Sequence, residues 1–326
     1  MALCFLFAPP SARAEEEPPA FARAVAFYEQ RKLDQALQWA REAALQHPEH
    51  ADAHFLLGEL YYLRQELTRA EECWEKALKL APKREEIQER LDRVRKDLQV
   101  EKGLARGDTH PFIVRFAEGQ VPVETGSLRE ILRDTHRKVG QQMGYFPAHS
   151  ITVILYPEQQ FQQVKGVSHQ VAGLYDGKIR LPLRDGKMAG TELQRVLWHE
   201  YTHAVVQDLS LGKCPLWLNE GIATLLEARV VRPSLNEAKS AFKAGTLPAW
   251  SALWSQDYKG VSLPLCYETS YLIAQYLVKR WSWREMAGLL GRLGQGQPIG
   301  EALRAQYRAD PAVIEKEWKA WLRRQL

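Results

Sequence analysis

Three residues frame the first third of the chain, because each returns at one fixed offset. Ala36, Ala43 and Pro48 are matched thirty-four positions later by Ala70, Ala77 and Pro82. A period of that length marks stacked helical hairpins, none of which buries its apolar face alone. The residue types of the second copy suit such stacking. Gly58 and Ala70 are small where two helices cross closely, and Tyr61 and Trp74 fill the gaps between successive helices. Pro82 ends the second helix, because its ring cannot continue one. The first copy is weaker, with Ala24, Phe27 and Ala40 at the matching places. Residues 84–98 read as the polar capping helix that a short stack needs. A plain bundle of helical hairpins is the alternative reading of the same residues.

Taken together, Leu57-Gly58, Tyr61, Ala70, Trp74, Ala77 and Pro82 resemble the tetratricopeptide repeat, over about residues 17–98. The resemblance implies a surface for a peptide or protein partner, or a docking or spacing element. Gly103 and Gly107, within a linker at Glu101–Asp108, separate this segment from the rest of the chain. The repeat domain, 15–100, is therefore expected to be removable without loss of the remainder, 108–326.

Past the linker the pattern changes. Phe112–Phe116 and Ile151–Tyr156 read as strands, and Ser127–Met143 as an amphipathic helix. Lys178–Leu183 alternates polar and apolar residues, with a proline suited to a sheet edge. Helices dominate from Thr191 onward. Strands first and helices after predict an α+β fold: all-α hairpins, then a domain with a small sheet and a mostly helical C-terminal half.

The first fourteen residues read as an export leader. Met1–Ala8 is apolar, and Ser11-Ala12-Arg13-Ala14 places small residues where an export peptidase cuts. The expected location is periplasmic or extracellular; a frayed N-terminus on a cytoplasmic protein is the alternative. No stretch approaches the ~18 apolar residues of a membrane span. A net charge of +4, from 44 basic and 40 acidic residues, is too small for a nucleic-acid footprint. With Cys4 in the leader, Cys73, Cys214 and Cys266 remain, so one internal disulfide at most can form.

The chemistry concentrates at His199-Glu200-Tyr201-Thr202-His203. Thr191 with Gln194 forms a capping box, and Leu193, Val196, Leu197 and Ala204 keep a helical period. On a helix, positions i and i+4 lie only ~40° apart, so both imidazoles can bind one cation. Glu200 follows the first ligand and sits where a general base must be. Pro215–Ala223 begins a second helix carrying Glu220, with sixteen residues between it and His203. His199, His203 and Glu220 make a zinc set with an open fourth position. Gly221, costly inside a helix, points to close packing beside the metal helix.

His199–His203 followed by Trp217-Leu218-Asn219-Glu220-Gly221-Ile222-Ala223 resembles the gluzincin metallopeptidases, of the aminopeptidase N branch and its peptidase MA-like relatives. Leu265–Leu272 resembles the family helix whose tyrosine polarises the scissile carbonyl, which assigns that role to Tyr267, with Tyr271 as fallback. The resemblance covers roughly 110–290. It implies one Zn²⁺, a peptide or protein substrate, and hydrolysis by a zinc-bound water that Glu200 activates. It also implies that Lys178–Leu183 is an edge strand that pairs with substrate. Two departures point away from aminopeptidase specificity and towards an endopeptidase. The spacing from His203 to Glu220 is shorter than in that branch, and Val171–Arg180 lacks the Gly-x-Met-Glu-Asn motif that holds a free amine. A repeat-based adaptor with a catalytically silent zincin domain is the alternative.

Glu227, seven positions after Glu220, could orient a ligating histidine or stay solvated. His136, His149 and His169 have no spacing partners and read as structural or solvated. Trp250, Trp254, Trp281, Trp283, Trp318 and Trp321 fall at helical intervals and read as packing. Cys214 and Cys266 precede Glu220 and Tyr267, so convergence of those residues on one zinc would bring the thiols near each other. They are expected either to bridge or to stay as two buried thiols.

Overall fold

The structure is a computed structural model and describes residues 18–117, 125–165, 173–183, 188, 190–254 and 261–325. The leader at 1–14 and His169 lie outside the described residues. Five helices come first: α1 (Pro19–Glu29), α2 (Leu33–Gln46), α3 (Ala51–Leu63), α4 (Leu67–Leu80) and α5 (Glu85–Val100). Next come β1 (Leu104–Thr109), β2 (Phe112–Ala117), α6 (Thr125–Met143), β3 (Ile151–Pro157), α7 (Glu158–Lys165), β4 (Leu174–Tyr175) and β5 (Ile179–Leu183). The remainder is helical: α8 (Gly190–Leu209), α9 (Leu216–Glu227), α10 (Asn236–Ala244), α11 (Trp250–Leu253), α12 (Leu263–Arg280), α13 (Trp283–Gly294), α14 (Ile299–Tyr307) and α15 (Pro311–Leu322). The α+β expectation holds. No helix of the described residues is long and apolar enough to cross a membrane.

The chain forms two compact units. One contains the residues up to 128 together with 148–188, the other 129–147 together with 189–326.

In the first unit the repeat packs as its residue types require. A Cβ on Gly58 would lie 2.4 Å from Nε1 of Trp74. The buried Trp74 ring donates that nitrogen to the carbonyl of Phe55 at 3.1 Å. The sheet has the order β1-β2-β3-β5-β4, with parallel pairs β2–β3 and β3–β5 flanked by antiparallel pairs at each side. β3 is buried from Ile151 to Tyr156, which explains why its residues are apolar on both faces apart from Thr152.

Two expectations need correction. The linker at Glu101–Asp108 is largely β1, paired antiparallel with β2; its glycine and charged residues hid a strand. Nor is β5 the sheet edge, because β4 pairs with its Ile179 and Arg180. The two-residue β4 carries too little pattern to be read in advance.

Residues 100–108 are not a seam either. Val100 at the end of α5 packs in one apolar cluster with Ile154, Tyr156 and Phe161. Beside it lies a buried charge network. Arg180, on β5, donates to Asp97 of α5 at 2.7 Å, to Glu101 at 3.2 Å, to Asp176 at 3.2 Å, and to the hydroxyl of Tyr62 on α3 at 2.9 Å. Tyr62 donates to Asp97 at 2.6 Å, and Tyr156 donates to Glu101 at 2.7 Å. Burial alone would raise the Asp97 carboxyl, but Arg180 and Lys178 outweigh it and hold it below the usual carboxylate range. Sheet and repeats thus share one polar core.

In the second unit α8 is buried on nearly every side, as a central helix. Trp217 on α9 packs against Trp250, which packs edge-on against Trp318, with ring centroids 6.5 and 5.8 Å apart. Trp321 is also buried, so Trp250, Trp318 and Trp321 are packing, while Trp254, Trp281 and Trp283 are only half-buried.

Candidate metal centre

Two helices of the second unit, α8 and α9, supply the expected ligands. His199 and His203 are one turn apart on α8, with ring centroids 4.8 Å apart and rings nearly perpendicular. Glu220, one turn into α9, places Oε2 3.4 Å from Nε2 of His199 and Oε1 3.8 Å from Nε2 of His203. One ligand atom from each residue lies within 4.8 Å of the others, and no other such group occurs among the described residues.

The ring orientations are fixed from behind. Nδ1 of His199 lies 2.7 Å from Oε2 of Glu227, and Nδ1 of His203 lies 2.9 Å from Oδ1 of Asn219. A carboxylate only accepts, so His199 carries its proton on Nδ1 and turns Nε2 inward. Glu227 therefore orients a histidine rather than facing solvent. Asn219 escaped the sequence reading, although its place beside Glu220 was a usable signal. Arg195 escaped as well; it donates to Glu227 from one turn before His199.

Burial alone would lower the His199 imidazole, yet its hydrogen bonds to Glu220 and Glu227 outweigh that and hold it at about 10. His203 falls below its ordinary value because burial dominates there. Burial opposes ionisation of Glu220 as well, but the two histidines keep it below the usual range. Two inward nitrogens and an ionised carboxylate suit a borderline-soft divalent cation.

Glu200 is buried on α8, and its charge contributes to the elevation of His199. Tyr267 lies near the head of α12, a helix that Ser262 caps by accepting from the Leu265 amide. Tyr267 is exposed, and burial of part of its ring, then the charge of Glu220, raises its phenol, so it stays protonated. Tyr271 is engaged elsewhere, its hydroxyl accepting from Gln275 at 2.9 Å.

Gly221 is needed for a neighbour other than the one expected. A Cβ there would lie 2.4 Å from the backbone oxygen of Ser270 on α12, so close packing is with the tyrosine helix rather than with α8. Gly221→Ala should lower stability by about 1–3 kcal/mol through overpacking and shift Glu220 relative to Tyr267. Thermal unfolding and zinc affinity measured together check this; an unchanged melting temperature would contradict it.

Other expectations fared unevenly. The Thr191–Gln194 capping box does not form, because α8 begins at Gly190 and the Gln194 amide donates to Asp134 of α6 at 3.2 Å. His136 is structural, with Nδ1 2.7 Å from the hydroxyl of Tyr201. Cys73, Cys214 and Cys266 are free thiols, so the Cys214–Cys266 bridge does not form; Cys214 points instead to the carbonyl of Pro215.

Two imidazoles and a carboxylate converging from neighbouring helices, each histidine backed by its own acceptor, are the layout of a metallopeptidase-like domain. Family comparisons agree. The Peptidase MA superfamily matches residues 189–324, and the tetratricopeptide repeat matches residues 21–85. The chain therefore joins tetratricopeptide repeats to a Peptidase MA superfamily domain. Among solved structures it aligns with an M1 zinc metallopeptidase from Deinococcus radiodurans at 18% identity and a TM-score of 0.38. That alignment covers 67% of this chain and 50% of the other, so the chain spans about half the length of that protein. A comparison with curated proteins gives no match.

Proposed function

We propose that the protein is a zinc-dependent metallopeptidase, acting as an endopeptidase on peptide or protein substrates. The observation that carries the reading is the convergence of His199, His203 and Glu220, with the two histidine rings held from behind by Glu227 and Asn219. His199, His203 and Glu220 would hold one Zn²⁺, which when bound polarises a carbonyl and lowers the pKa of water. Glu200 takes a proton from the attacking water and delivers it to the leaving amine. Tyr267, kept protonated, donates to the oxygen on which negative charge develops. The repeats would serve recognition of a protein partner, and residues 1–14 would direct export.

The test is zinc stoichiometry on the purified chain, coupled to cleavage of a peptide library. One zinc per chain and internal cleavage are expected. Tyr267→Phe should keep the zinc and lower kcat by roughly 10²–10³, the loss expected for one oxyanion donor. A larger loss from Tyr271→Phe would move the role to Tyr271. A chain that takes up no zinc would leave the adaptor reading in its place.

A further inference from the structure

We propose that Arg195 is a positioning residue of the metal centre, fixing the Glu227 carboxylate against Nδ1 of His199. The inference rests on the zinc reading above. Arg195 lies four residues before His199 on α8, so the two side chains share a face. Its guanidinium is itself held: Nε and Nη2 donate to the two oxygens of Glu192 at 2.9 and 2.6 Å. The remaining arm, Nη1, donates to Oε1 of Glu227. The other oxygen of Glu227, Oε2, faces His199 Nδ1 at 2.7 Å.

Each Glu227 oxygen therefore has its own donor, and the carboxylate cannot rotate without breaking one of the two bonds. The planar fork of arginine matches two carboxylates at once, which a lysine ammonium does not do with fixed geometry. Arg195 and Glu227 are largely shielded, with side chains 24% and 14% exposed, so solvent competes weakly for the contact. The chain Glu192–Arg195–Glu227–His199 thus transmits the geometry of the first turn of α8 to the first ligand.

Because the contact also ties α8 to α9, the test must separate positioning from stability. Arg195→Met, Glu227→Gln and the double variant would be made in the full chain. Zinc dissociation constants would be read by chelator competition, and melting temperatures on the metal-free proteins. Arg195→Met should weaken zinc binding about tenfold, within the range for outer partners of metal ligands. In the Glu227→Gln background the same change should add almost nothing, since its route to the metal is already cut. Arg195→Lys, which keeps the charge and the helix, should lie between wild type and Arg195→Met. An equal loss in both backgrounds, or unchanged zinc affinity in Arg195→Met and Arg195→Lys, would overturn the proposal while leaving the zinc site standing. Failure of the wild-type chain itself to bind zinc would overturn the underlying reading.

Discussion

Glu200→Gln should retain one zinc per chain and lose about 10²–10⁴ in peptide hydrolysis, the usual weight of a general base. The substitution keeps the size of the side chain and removes only its ability to accept a proton near neutral pH. Glu200 is not among the residues that would hold the cation, so the ligand set should survive. It is buried on the helix that carries both histidines, which shields its carboxylate from bulk water. Metal content and single-turnover rates on one preparation would decide the matter. Loss of zinc along with activity would make Glu200 a structural part of the site. Unchanged turnover would show that the proton is carried elsewhere.

The second large effect concerns stability. Arg180→Met should destabilise the repeat–sheet unit by about 3–5 kcal/mol, the cost of breaking a buried ion pair from one side. The substitution leaves Asp97 and Glu101, both nearly inaccessible, without their principal cation. Deleting residues 15–100 should do worse, because it removes Asp97 with its helix and the Tyr62 hydroxyl while Arg180 stays behind. Denaturant unfolding followed by a probe in the sheet checks both. A sheet that stays folded after the deletion would show that the network is dispensable. Lys178 should behave differently. Its ammonium sits 3.6 Å from the centre of the Tyr62 ring and 3.8 Å from Asp97, and burial, reinforced by Arg180, lowers it to about 8. The unfolded chain keeps that proton up to about pH 10, so between those values Lys178 contributes stability that rises with pH. Lys178→Met should abolish that rise.

The legible parts of this protein were those whose meaning lies within a few turns of helix. The recurrence of Ala36 and Ala70, the pairing of His199 with His203, and the Glu220 helix all come from local spacing. The hidden parts were set by partners distant in sequence. Arg180 reads as an exposed polar position in an alternating strand, because nothing near it announces Asp97, 83 residues earlier. Gly221 announced a close contact, but its neighbour is α12 rather than the metal helix that its place in the sequence suggested. Glu227 lay on the correct face, yet only its pairing with Arg195 and His199 distinguishes an orienting carboxylate from a solvated one. The strand β1 was lost for a related reason: its pairing with β2 overrides the weak strand preference of Gly107 and Asp108.

The network around Arg180 also imposes an order on folding. Its acceptors are made first: Tyr62 precedes Arg180 by 118 residues, Asp97 by 83 and Glu101 by 79. Helical hairpins form through local contacts and fold fast, whereas closing a loop of that length is slow. During synthesis the repeats can therefore be complete while β5 is still unmade, presenting two carboxylates and a phenol at a surface that is not yet covered. The arrival of the guanidinium converts that waiting surface into an interior. The repeats act on the sheet as a template does on its casting, and a released chain truncated just short of residue 180 should display folded hairpins beside an incomplete sheet.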